Sequence, residues 1–91
     1  MVSILRMDIR ELFGANFRRF RLGAGISQET VAVRMGVDRA HVSAMERGQQ
    51  NVTLLTIWHA SQALGVRPAA LLDDNPAAED PTGEASVVRD P

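Results

Sequence analysis

Ninety-one residues suffice for one small domain, and the absence of cysteine removes disulfides, thiolate catalysis and Cys-based zinc sites together. No apolar run approaches the about 20 residues of a membrane span, and Arg6, Asp8, Arg10 and Glu11 interrupt the apolar stretch that a secretory signal needs. The net charge of −1 conceals an asymmetry: residues 1–72 carry nine arginines against five acids, for +4, while residues 73–91 carry one arginine against six acids, for −5. A soluble, cytoplasmic protein is expected. A basic domain with an acidic tail is one pattern of nucleic-acid binders, although ordinary solvated charge gives the same arithmetic.

Residues 1–7 read as an N-terminal arm. Ile9, Leu12, Phe13, Phe17 and Phe20 then recur on one helical face, with Asp8 placed to cap the start and Gly23 and Gly25 to end it. Ser27 opens a second helix, Glu29 suits its first turn, and Val31, Ala32 and Met35 form its apolar face. Gly36 stops it as a left-handed residue. Asp38 reads as the next N-cap, Val42 and Met45 give a short stripe, and Gly48 ends that helix. After a polar loop, Thr53 caps a fourth helix with Leu54, Ile57, Ser61 and Leu64 on its core face, closed by Gly65. Pro68 suits the first position of a last short helix through Leu72. Residues 73–91 hold three of the four prolines and six acids and have no core-forming pattern. An all-α fold of five helices over residues 8–72 follows, with residues 73–91 expected as a flexible, acidic, Pro-containing tail outside it.

The second and third helices carry the functional signal. Counted from Gln28, Ala32 is fifth, Gly36 ninth, Val42 fifteenth and Met45 eighteenth. A helix-turn-helix needs a small residue where the helices cross, a glycine at the turn, and two apolar residues that pin the second helix while its other face stays free for the major groove. These residues, with Ser27-Gln28, Glu46-Arg47-Gly48 and Ala63-Leu64-Gly65-Val66, make the chain resemble the Cro/cI-type (XRE) helix-turn-helix family from about Leu12 to Leu72. In size it resembles small restriction–modification controller proteins and compact phage-type repressors.

The resemblance implies a five-helix, lambda-repressor-like domain that binds double-stranded operator DNA as a homodimer and regulates transcription. It implies base contacts from Arg39, Ala40, Ser43 and Ala44. Arg39 has the chemistry for guanine O6 and N7, and an alanine suits a thymine methyl. A phosphate contact or a solvated charge is the competing reading of Arg39. Phosphate contacts are implied for Gln28, Arg47, Gln50 and Asn51, and these carry no sequence information. Arg34 reads as solvated. Arg21 and Glu46 match a pair that forms an interhelical salt bridge in the family.

On the fourth helix Leu55, Trp58, His59 and Gln62 make a second stripe beside the core face. With Leu71 and Leu72 it reads as the dimer interface, since Trp is a favoured anchor. The competing reading folds Trp58 onto its own core. No catalytic residue, metal, cofactor or small-molecule effector is expected: Asp38, His41 and Ser43 crowd one short helix, and two histidines lack a third ligand. The rival to a DNA regulator is an antitoxin-like interaction module that uses the acidic tail.

Overall fold

The computed structural model describes residues 8–74; the expected arm and the tail from residue 75 onward lie outside the described residues. Four α-helices follow in order, α1 (Ile9–Gly23), α2 (Gln28–Met35), α3 (Arg39–Glu46) and α4 (Leu54–Leu64), and then a 3-10 helix (Pro68–Leu72). No strand occurs among the described residues.

Side-chain caps start three of the helices. Asp8 accepts from the Arg10 N–H at 2.8 Å, Ser27 from Thr30 at 3.0 Å and Thr53 from Thr56 at 3.0 Å. Asp38 occupies the cap position of α3 with an extended backbone, but its side chain makes no cap hydrogen bond. Its carbonyl instead takes the N–H groups of His41 and Val42. Gly36 closes α2 at φ 72° and ψ 33°. That left-handed residue lets the Val37 N–H turn back to the Ala32 carbonyl at 3.0 Å, which satisfies a helix-end acceptor and aims the chain into α3.

The core gathers Phe13, Phe17 and Phe20 from α1, Val31, Ala32 and Met35 from α2, Val42 and Met45 from α3, and Ala60, Ala63 and Leu64 from α4. Phe13 and Phe17 lie with ring centroids 6.0 Å apart and tilted by 46°, a favourable aromatic geometry. The Arg19 guanidinium covers Phe20 at 4.4 Å from the ring centre. α1 crosses α3 at Gly14, where a Cβ would stand 2.3 Å from the Met45 carbonyl oxygen. Only glycine allows the two backbones this close.

Three sequence expectations need correction. The fifth helix is a 3-10 helix of five residues, not an α-helix. With Pro68 at its start and no side-chain cap on Arg67, it is too short to build α-helical i→i+4 bonding. The Asn16 amide, buried in α1, donates to the carbonyls of Leu71 and Asp73, both at 3.0 Å, and so satisfies the end of that turn. Leu71 is fully buried in the core and does not form part of an exposed stripe, whereas Leu72 is partly exposed. Leu54, expected inside, is 84% exposed, because the start of α4 projects past the core; burial begins in part at Ile57 and is complete at Ala60 and Ser61.

Candidate nucleic-acid interface

The position of α3 is set at its C-terminal end. Glu46 lies there with a side chain only 3% exposed, and Arg21 of α1 meets it with two hydrogen bonds, Nε to Oε2 at 2.6 Å and Nη2 to Oε1 at 3.1 Å. The third arm of Arg21 donates to the Ile26 carbonyl at 2.9 Å. A buried fork of this kind fixes angle as well as distance. The bonded carboxylate holds the Arg21 pKa above its ordinary value. Arg18, one turn earlier on the same face of α1 and largely exposed, stands 3.9 Å from Glu46 Oε1.

Around this ion pair the structure gathers several of the residues singled out from the sequence. Gln28, the first residue of α2, donates from Nε2 to Glu46 Oε1 at 3.1 Å. Arg39, the first residue of α3, donates from Nη1 to Gln28 Oε1 at 3.3 Å. Arg39 and Ala40 are exposed, while Ser43 and Ala44 are half-buried on the same helix. Arg47 folds back on α3: it bonds the Ser43 hydroxyl and places Nε and Nη2 at 3.2 and 3.1 Å from Gln49 Oε1. Gln50 and Asn51 stand apart from this cluster in the α3–α4 loop. Asn51 lines a small cleft with Ile9 and Arg10 at the start of α1.

Two polar residues acquire roles that the sequence reading missed. Arg34, read as solvated, donates from Nη1 to the Ala63 carbonyl at 3.0 Å, and so ties α2 to the last turn of α4. A cation there also suits the negative end of that helix. Its one-turn spacing from Thr30 gives no sign of this; only the packing of α2 on α4 does. Asn16 is the second, hidden in the pattern as a polar residue beside the Phe13–Phe17 stripe.

A different surface lies along α4. Leu54, Leu55 and Trp58 are exposed at 84, 63 and 50%, with His59 and Gln62 exposed beside them. Among the described residues no helix is long and apolar enough to cross a membrane, and no three acids or histidines converge to hold a metal ion.

Residues 17–71 match the helix-turn-helix family. The chain belongs to that family. An HTH-type transcriptional regulator of Sinorhizobium fredii is 42% identical over 77 residues, which cover 85% of this chain and 97% of that one. Control protein C.BamHI of Bacillus amyloliquefaciens is 45% identical over 67 residues, 72% of this chain and 83% of its own. Among solved structures, the restriction–modification controller protein C.AhdI of Aeromonas hydrophila superposes with a TM-score of 0.66 at 42% identity, over 68% of this chain and 94% of that chain. A hypothetical transcription factor of Neisseria gives a TM-score of 0.73 at 39% identity, over 79% of this chain and 83% of that chain. The helix-turn-helix chain described here is thus a DNA-binding transcriptional regulator of the XRE type, with restriction–modification controllers among its homologues.

Proposed function

We propose that this regulator binds a palindromic operator as a homodimer, each copy laying α3 in a major groove. The observation that carries the reading is the division of α3. One face is fixed by Val42, Met45 and the Glu46–Arg21 fork, while Arg39 and Ala40 are exposed with no large apolar side chain to bury. A rigid helix with a free polar start suits base readout. Arg39 takes the guanine-reading role, with Ala40, Ser43 and Ala44 as shorter-range contacts. Gln28, Arg47, Gln50 and Asn51 take the phosphates. A second copy covers Leu54, Leu55 and Trp58 on α4, and the two-fold axis sets the recognition helices about 34 Å apart, one turn of DNA. His59, Gln62 and Leu72 border that patch. The reading assigns no reaction, cofactor or small-molecule effector to the chain.

The test is selection of bound duplexes from a random pool, followed by titration of the wild type and Arg39→Ala on the selected and a scrambled duplex at one salt concentration. The variant is expected to lose about 1–3 kcal/mol on the selected duplex and far less on the scrambled one. Equal loss on both makes Arg39 a phosphate contact and removes base readout from it.

A further inference from the structure

We infer that the acidic tail folds back on the arginine face of α1 and α3, so that residues 79–90 compete with DNA for it. The inference rests on the DNA reading above and adds a regulation to it.

Three exposed arginines surround one buried carboxylate on that face. Arg18 stands 3.9 Å from Glu46 Oε1. Arg39 lies further out, at the start of α3. Arg47 follows Glu46 directly in the chain and bonds only the neutral oxygens of Ser43 and Gln49. Both oxygens of Glu46 are already engaged by Arg21. One carboxylate thus sits among four guanidinium groups, which leaves positive charge in excess. The exposed acids at the border, Asp38 beside Arg39 and Glu11 against Gly48, reduce that excess without cancelling it. The other exposed face, on α4, presents Leu54, Leu55 and Trp58 and no arginine. Arg10 is paired with Asp8.

Seventeen residues follow Asp74, and they carry Glu79, Asp80, Glu84 and Asp90 against Arg89 alone. Asn16 sets where that segment starts, because its buried amide holds the Asp73 carbonyl at 3.0 Å. Asn16 and Arg18 are two residues apart on α1, hence about 200° apart around the helix. The tail therefore leaves the domain about 10–12 Å from Arg18, one helix diameter. An extended chain covers about 3.3 Å per residue, so Glu79 and Asp80 reach up to about 17–20 Å from Asp74. That is enough to pass around α1 to Arg18, and Glu84 and Asp90 lie far enough on to meet Arg39 and Arg47.

A carboxylate offers these arginines the same kind of acceptor oxygens as a DNA phosphate does. A tethered competitor acts at a local concentration of the order of millimolar, so even a weak contact competes. DNA, with its far denser charge, displaces it, and salt weakens both contacts.

The experiment compares the wild-type chain with a full-length variant carrying Glu79→Gln, Asp80→Asn, Glu84→Gln and Asp90→Asn. Both are titrated on the selected and the scrambled duplex at low and at high salt. The variant is expected to bind both duplexes about two- to tenfold more tightly at low salt, with the gain lost at high salt. Relief of simple repulsion between tail and DNA gives a similar gain, so a second measurement locates the tail with no DNA present. The chain has no cysteine, so Ser86→Cys takes a single spin label. At low salt the label should broaden the backbone amide signals of Arg18, Arg39 and Arg47 more strongly than those of α4. Adding the selected duplex, or neutralising the four acids, should restore them. Equal affinity of variant and wild type overturns the inference and leaves the DNA reading standing. So does a label that leaves the arginine face sharp, or broadens it equally in the neutral variant. A pool that yields no enriched sequence overturns the DNA reading and the competition with it, while the label measurement still decides the contact.

Discussion

α3 buries Val42 and Met45 and turns Arg39 and Ala40 outward, while α4 buries Ala60, Ser61, Ala63 and Leu64 and turns Leu54, Leu55 and Trp58 outward. The inner face of α3 is locked by a backbone crossing at Gly14 and by an ion pair at its end. The inner face of α4 is made largely of small side chains, and its first turn stands clear of the core. The difference teaches where each helix finds its remaining partner. A helix that must meet a stiff duplex needs a fixed angle and a polar outer face. A helix with apolar side chains left in water gains most from another apolar surface.

Removing the lock on α3 is the largest way to break this contrast. Glu46→Ala leaves Arg21 buried without its counter-charge and should cost about 3–5 kcal/mol in denaturant unfolding. An unchanged midpoint makes the pair two surface charges and α3 no more fixed than α4. Gly14→Ala comes next. Its methyl group must displace the Met45 carbonyl, so a loss of about 1–3 kcal/mol is expected even though alanine is the better helix former.

Trp58→Ala sharpens the other side. Half of the indole is already in water, so the loss within one copy should be only about 1 kcal/mol. Sedimentation should show monomers and operator affinity should fall. A dimer of undiminished affinity places the interface elsewhere, and an unfolded variant assigns Trp58 to its own core.

The smallest effect belongs to neither helix and serves as a control. Arg10, by its side-chain hydrogen bond, lowers the Asp8 carboxyl from 3.8 to about 2. Folding therefore favours the charged form, so its contribution is present above pH about 4 and is lost as the pH falls through about 2. Asp8→Asn keeps a capping oxygen but no charge. The gap in melting temperature between wild type and variant should be small, present at pH 5, and shrink as the pH falls through about 2. A gap of the same size at pH 5 and well below pH 2 assigns it to the cap and not to the charge.

Much of this was legible in the sequence. Ser27, Gly36 and Thr53 mark element ends by backbone chemistry that acts within a few residues, and the structure uses them so. The Arg21–Glu46 pairing was available only through resemblance, since 25 residues separate the two and no spacing rule joins them. Periodicity placed Leu54 inside because a helical wheel describes angle and not depth. Leu71 was assigned to the exposed patch by its nearness in the chain, because apolar side chains on a five-residue turn have no period to read. Gly14, Arg34 and Asn16 each owe their role to a backbone group on a distant element, which local pattern cannot register. The place of Gln28 between Glu46 and Arg39 likewise depends on other elements, here through their side chains.

The Asn16 clamp has a consequence for how the chain is made. Its carbonyl partners lie 55 and 57 residues downstream. At a synthesis rate of about 5–20 residues per second, α1 waits roughly 3–11 s before Asp73 has even been added. Over that interval the cluster of Phe13 and Phe17 lacks Leu71. The core side of α1 therefore stays incomplete until late in synthesis, and the domain closes only when the last turn arrives.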